Sequence, residues 1–407
     1  MNVRRFCIVA AAIAAVGFLS GCSAGQTRPT PSPTPKRSTP TPTPSATPLP
    51  TGPFAVAVTN RDRSGSTYHV LLIDTSGHVV ARTTAKLPLI KPNQTVDPAL
   101  VSASNTTAYF RNGDNDIMSL SPGGVTALVK SIPAGSQAIL AFAVSADDTR
   151  IAVALINEAP PNNSSDIQFA GSTGHGYVED LTDANNHVNL WSNTDADAIR
   201  LPVGWHRNDL VDQVGFNQCQ GYNGYGACGG GAVSYHVIDG ATGSRVATVC
   251  EGPTNPPSGT YDSVNPQGAP TAAGIACNES QGSQTTSAGH TSIYAADWLG
   301  REHSFITASN SSAVGIQVGG CYLSPDGIRM ACTAYQGGAV TLLTPNGKTH
   351  SLGRKYNILG WVDPTHLLVD VDVTSLAMLN ADTGEISPIP RAQADKVAMV
   401  STLPGSL

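Results

Sequence analysis

Two separated stretches of this chain repeat one strand–turn–strand pattern, and that repeat constrains the fold more than any other feature. Phe142-Ala-Val-Ser-Ala-Asp-Asp-Thr-Arg-Ile-Ala-Val153 aligns with Cys321-Tyr-Leu-Ser-Pro-Asp-Gly-Ile-Arg-Met-Ala-Cys332. Ser145 matches Ser324, Asp147 matches Asp326, Arg150 matches Arg329 and Ala152 matches Ala331. Pro325 and Gly327 stand where a tight turn needs them. Further repeats follow. Gly204-Trp205 with Leu210-Val211-Asp212 parallels Gly360-Trp361 with Leu368-Val369-Asp370. The hairpin-like runs at 71–80, 237–246 and 378–386 share a turn of Asp or Asn, Thr or Ser, and Gly. From Phe54 onward the apolar runs are short, such as 54–58, 68–73, 151–155 and 339–343, and Gly, Asn, Asp or Pro separates them. No amphipathic pattern of ten or more residues predicts a helix. Many short strands in repeating units predict an all-β sandwich, barrel or propeller.

These pieces resemble the blades of TolB-like and WD-like β-propellers, in which a Ser-Pro-Asp-Gly turn joins the first two strands of a blade. The resemblance spans most of 54–402. It implies a β-propeller with seven four-stranded blades in the segments 54–84, 97–130, 138–200, 201–250, 270–308, 318–352 and 355–390. Six or eight blades remain as alternatives, because 157–187 and 251–290 read as long insertions. The first segment supplies three strands, while Lys396–Thr402 is a spare strand. The expected closure pairs the N- and C-terminal strands in one blade and removes the exposed edges.

The N-terminus reads as an address. Arg4 and Arg5 precede an apolar run from Phe6 to Phe18, and Leu19-Ser20-Gly21-Cys22 follows. The layout is that of an export signal. The tetrad resembles the lipobox of bacterial lipoproteins. That resemblance implies cleavage before Cys22, acylation of its sulfur as with palmitate, and acylation of the new N-terminus. More than one acyl chain is what stable anchoring requires. Three regions follow: a signal peptide at 1–21, a lipidated Cys22 with a Pro/Thr-rich linker at 22–53, and the propeller at 54–407. An extended Pro-rich linker rises about 3.1 Å per residue, so it could hold the domain roughly 70–80 Å from a bilayer. Gly21-Cys22-Ser23-Ala24-Gly25 matches a nucleophile-elbow pattern, but it straddles the cleavage site and follows no core strand.

Charge and cysteine usage narrow the partners. Residues 52–407 carry 18 basic against 29 acidic residues, a net charge of −11. With no basic stripe and no aromatic platform, nucleic acid is excluded as a partner. Beyond Cys7 in the signal and Cys22, six cysteines remain: Cys219, Cys228, Cys250, Cys277, Cys321 and Cys332. An even number in an exported domain predicts disulfides. Cys321 and Cys332 flank the 324–327 turn and fall opposite one another, or one register off. Phe142 and Val153 hold the equivalent places, so a bridge would replace a hydrophobic pair. Cys219 and Cys228 bracket a Gly/Tyr-rich loop, and Cys250 with Cys277 would tie down the segment between them. No Cys-x-x-Cys pair points to a metal.

Catalytic signatures are absent from the sequence. The ten histidines are scattered, and no phosphate-cradling loop occurs. Asn112–Asp116 is acidic but lacks the rest of a calcium loop and reads as a solvated turn. Gly171–Gly176 reads as a flexible insertion. Trp205 and Trp361, at equivalent repeat positions, are expected in the core. The best contact surface is the 217–231 loop, with Tyr222, Asn223 and Tyr225 as interaction residues. The sequence therefore points to a non-catalytic binding or scaffold module for a protein or envelope component such as a glycan. That module would be anchored extracytoplasmically to the bacterial cell membrane through Cys22, with no cofactor and no metal. The alternative is a propeller hydrolase or lyase whose carboxylates, such as Asp212 or Asp370, gather in the central channel.

Overall fold

The computed structural model describes residues 51–407, apart from 60–64, 92–93, 95–96, 159–172, 193–198, 216–231, 252–259, 284–285, 307–317, 335–338, 346, 373–374 and 391–396. The first blade begins with β1 (Phe54–Val58), β2 (Thr67–Asp74) and β3 (Val79–Lys86). Blade 2 is β4 (Val101–Ala103), β5 (Ala108–Asn112), β6 (Asp116–Leu120) and β7 (Thr126–Ser131). Blade 3 is β8 (Ile139–Val144), β9 (Arg150–Asn157), β10 (Thr173–Asp180) and β11 (Val188–Ser192). Blade 4 is β12 (Ile199–His206), β13 (Asp209–Gly215), β14 (Ala232–Asp239) and β15 (Arg245–Val249). Blade 5 is β16 (Thr260–Thr271), β17 (Gly274–Ser283), β18 (Thr286–Ala296) and β19 (Glu302–Ile306). Blade 6 is β20 (Val318–Leu323), β21 (Met330–Ala334), β22 (Ala339–Leu343) and β23 (Thr349–Lys355). Blade 7 is β24 (Asn357–Trp361), β25 (His366–Asp372), β26 (Ser375–Asn380) and β27 (Ile386–Ile389). The last strand, β28 (Ala398–Leu403), completes blade 1.

The chain is thus an all-β propeller of seven four-stranded antiparallel blades. Each blade is a meander, because short turns join strands that pair in sequence order. The exception is blade 1, whose order is β28-β1-β2-β3. Phe54 pairs with Leu403 and Val58 with Ala398, so the two ends of the domain close the ring as expected. Closure leaves β1 buried along its whole length.

An apolar cluster fills every seam between neighbouring blades. The alternation of each strand sends one set of side chains to the preceding blade and the other set to the following one. In β8, Leu140, Phe142 and Val144 pack on Tyr109 and Ile117 of blade 2, while Ile139 and Ala141 meet Leu201 of blade 4. Six seams hold one continuous cluster each. The seam between blades 3 and 4 holds two separate ones.

Two sequence expectations change here. The segment 251–290, read as an insertion, carries β16, β17 and the start of β18, the longest strands of the protein. Their Asn-, Gln-, Ser- and Gly-rich sequence lacks the apolar alternation that marks a strand facing a core. Gly171–Gly176, read as a flexible insertion, enters β10 at Thr173. Gly176 lies there because Trp191 covers it. A Cβ at that position would fall 2.2 Å from the Trp191 Nε1.

Candidate functional site

The two faces of the ring differ. Turns from first to second and from third to fourth strand lie on one face, and they are short. In blades 3 and 6 they are the repeated Ser/Asp turns. Ser145 Oγ donates to Asp147 Oδ1 at 2.7 Å and accepts from the Arg150 amide at 2.8 Å. Ser324 makes the same bonds with Asp326 and the Arg329 amide. Connections from second to third strand, and from one blade to the next, leave from the opposite face. They include 87–100, 158–172, 193–198, 216–231, 250–259 and 307–317, so the long connections all belong to this face.

The channel is lined by the first strand of each blade: β4, β8, β12, β16, β20, β24 and β28. By sequence these strands carry three residues of charged or imidazole type, Arg200, His206 and Asp262, and two tyrosines, Tyr261 and Tyr322; the rest are small, apolar or uncharged polar residues. On the short-turn face, residues 404–407 cut a chord across the ring. The Gly405 amide donates to the Ser104 carbonyl of blade 2 at 2.7 Å, and the Leu407 amide to the Trp205 carbonyl of blade 4 at 2.8 Å. Gly204 leaves room for this segment, since a Cβ there would stand 2.5 Å from Leu407 Cδ1.

Asp212 and Asp370 do not meet in the channel. Both sit on second strands, β13 of blade 4 and β25 of blade 7. Asp370 accepts a hydrogen bond from Asn357 Nδ2 at 3.3 Å. Asp212 is only 1% exposed, and neither carboxylate oxygen finds a hydrogen-bond donor among the described residues. It shares a sheet face with Leu210, which packs on Ala143, Ala152 and Val178 of blade 3. Asp212 therefore lies in the seam where the apolar core is split. Directly opposite it across the ladder is His236, whose Nε2 accepts from Arg245 Nη1 at 3.3 Å. Burial raises the Asp212 carboxyl to about 7, against a smaller opposing effect of Arg200. Burial, then the charges of Arg200 and Arg245, lower His236 to about 4. Sequence reading missed His236, Arg200 and Arg245, because polar residues alternating with apolar ones on a strand read as a solvent face.

Asn112–Asp116 is the turn between β5 and β6, half-buried to exposed as expected. It is a hub for the connections on both sides. Asn112 Oδ1 accepts from the Lys86 amide at 3.0 Å, and Asp114 Oδ1 from the Leu89 amide at 2.8 Å. Asp116 Oδ1 accepts from Ser131 Oγ at 2.9 Å, and Lys91 Nζ sits 3.0 Å from Asp114 Oδ2. Burial pushes the Asp114 carboxyl up, but the hydrogen bonds of Lys91 and of the Leu89 amide outweigh it, and the net shift is downward.

Trp205 and Trp361 lie in the core, and both bridge blades. Trp205 Nε1 donates to the Ala143 carbonyl at 3.2 Å and Trp361 Nε1 to the Tyr322 carbonyl at 2.8 Å. Two disulfides are present among the described residues. Cys321 and Cys332 are directly opposed on β20 and β21, with Cα atoms 4.1 Å apart, as Phe142 and Val153 are on β8 and β9. Cys250, at the end of β15, is bonded to Cys277 on β17 and so staples blade 4 to blade 5. Cys22, Cys219, Cys228, Tyr222, Asn223 and Tyr225 lie outside the described residues.

No protein-family model and no curated protein sequence matches the chain. Among solved structures, it is similar to an oligogalacturonate lyase in complex with manganese. The identity is 12%, the match covers 82% of this chain and 88% of that one, and the TM-score is 0.46. Porphyromonas gingivalis dipeptidyl peptidase 4 matches at 11% identity over 80% of this chain and 49% of that one, with a TM-score of 0.44. TolB from Acinetobacter baumannii matches at 11% identity over 85% of this chain and 66% of that one, with a TM-score of 0.37. At such identities the likeness is one of fold alone.

Proposed function

We propose that this propeller is a non-catalytic binding or scaffold module, tethered outside the cytoplasm by a lipid on Cys22. It would contact a protein or envelope component through the face of long connections. The observation that carries this reading is the channel lining. By sequence the seven inner strands bring a single carboxylate and a single imidazole, Asp262 and His206, on different blades, and acid–base chemistry needs groups of that kind held together. The Tyr-bearing segment 216–231 joins β13 to β14 on the face where the connections are longest, and Tyr is favoured where surfaces meet.

Two measurements test the reading. Cys22→Ser is expected to move the chain from the salt-washed membrane fraction to the soluble one; retention on washed membranes would overturn the anchor. In captures from detergent-solubilised envelopes, Tyr222→Ala/Tyr225→Ala is expected to weaken recovery of a specific partner at least tenfold. Recovery at the wild-type level would remove the loop from the binding surface.

A further inference from the structure

The connection between blades 1 and 2 is inverted in polarity. Lys91 is 5% exposed, while its neighbours Leu89 and Ile90 stand 70% and 67% exposed. An ordinary turn would tuck the aliphatic pair inward and leave the lysine in water. Here the opposite arrangement is locked. Lys91 Nζ is paired with Asp114 Oδ2 at 3.0 Å, and the Leu89 amide donates to Asp114 Oδ1 at 2.8 Å. The Lys91 amide donates to Gln94 Oε1 at 2.9 Å. The Gly113 amide donates to the Lys86 carbonyl at 2.9 Å, and the Gln94 amide to the Lys91 carbonyl at 3.1 Å. The pair is thus a preorganised aliphatic knob that needs no ordering on contact.

Charge indicates what covers the knob. Among the described residues of blade 1 and the knob, Arg82, Lys86 and Lys91 stand against Asp74, and with Lys91 paired to Asp114 the exposed cations are Arg82 and Lys86. Residues 52–407 as a whole are at −11. The outer strand β3 bears Arg82 and Lys86, both exposed, and no acid. An exposed aliphatic pair that follows a strand with two exposed cations matches an anionic lipid surface: alkyl groups enter the interface and cations meet the headgroups. The remaining blades, being strongly acidic, would be repelled from it.

We propose that Leu89 and Ile90, with Arg82 and Lys86, form a secondary contact with anionic bilayers. This contact stands the propeller on the edge of blade 1. Blades 4 and 5 lie across the ring from blade 1, so they then stand farthest from the membrane. The orientation rests on the lipid-anchor reading; the contact itself does not.

The test uses the mature chain with Cys22→Ser, so that no acyl chain contributes, in co-sedimentation with two kinds of vesicle. One kind is pure phosphatidylcholine and the other contains equal phosphatidylglycerol. The chain is expected to sediment with the anionic vesicles and not with the neutral ones. Leu89→Ser/Ile90→Ser is expected to weaken that binding about tenfold, and Arg82→Ser/Lys86→Ser by a similar factor. All four side chains are exposed, and an unchanged melting temperature verifies folding. A wild-type chain that ignores both vesicles, or a Leu89→Ser/Ile90→Ser chain that binds as well as wild type, overturns the proposal. The anchor is read separately by the washed-membrane fractionation of Cys22→Ser, so the two readings fail independently.

Discussion

A carboxyl group sealed in a seam without a donor favours its neutral form, and Asp212 is such a group. Its value in the folded chain, about 7, lies above the ordinary 3.8. The folded state therefore binds this proton more tightly than the unfolded chain does. The stability this contributes is complete below about pH 4 and is lost as pH rises toward 7. Asp212→Asn removes the dependence while keeping the shape. The variant is expected to melt close to wild type at pH 4 and to be more stable at pH 8, by about 2–4 kcal/mol. His236 tilts the opposite way, since its lowered value makes charging costly as pH falls toward 4. Melting both chains from pH 4 to 8 isolates the aspartate, and a difference that does not grow with pH would show that Asp212 is ionised in the seam. The sequence marked Asp212 as a carboxylate of interest but could not place it. Ser234-Tyr235-His236-Val237 alternates in polarity, and a period of two says which residues share a face, not whether that face meets water or another blade.

The strand–turn–strand unit was the most legible element, and its role extends beyond the turn. In blades 3 and 6 the arginine that ends the repeated motif reaches the next blade. The guanidinium of Arg150 lies 4.6 Å from the ring centroid of Trp205, and that of Arg329 5.5 Å from Trp361. Arg150 also bonds the Asn208 carbonyl at 3.3 Å, and Arg329 the Pro364 carbonyl and Asp382. The same lock thus joins blade 3 to 4 and blade 6 to 7. The sequence showed both arginines and both tryptophans as repeats. It did not show that they touch, because each pair spans two successive units. Arg329→Met is expected to cost about 1–2 kcal/mol through the lost stacking and hydrogen bonds. Combined with Trp361→Phe, it should show a coupling of about 0.5–2 kcal/mol in urea unfolding. Additive losses would mean that the two side chains act independently. Blade 5 was the least legible element for the opposite reason, since its long strands carry polar sequence without a repeat or an apolar period.

For the whole ring, seven blades were countable because short apolar runs and turn residues recur in groups along the chain, although the groups differ in length. The closing strand was legible because blade 1 lacked a strand that the C-terminal segment could supply. Closure carries a thermodynamic consequence. Without β28, the backbone of β1 loses a complete row of partners along five buried residues. Unpaired buried amides and carbonyls are costly, and the exposed edge invites pairing with other chains. A chain ending at residue 397 is therefore expected to lose cooperative melting and to aggregate. The reverse experiment separates closure from mere loss of contacts. Ala55 and Thr402 are direct partners across the closing ladder, and partners in an antiparallel ladder stand about 4.5–5.5 Å apart at Cα, within disulfide reach. Ala55→Cys/Thr402→Cys would join the two ends of the ring, closing a loop of nearly the whole domain. The oxidised form should gain up to about 5 kcal/mol over the reduced one. If opening of this blade is the first step of unfolding, the gain appears mainly as slower unfolding in stopped-flow or manual-mixing urea jumps, with the folding rate little changed. Equal unfolding rates for the oxidised and reduced forms would place the weakest seam elsewhere, and the divided core between blades 3 and 4, with Asp212 inside it, would be the next to staple.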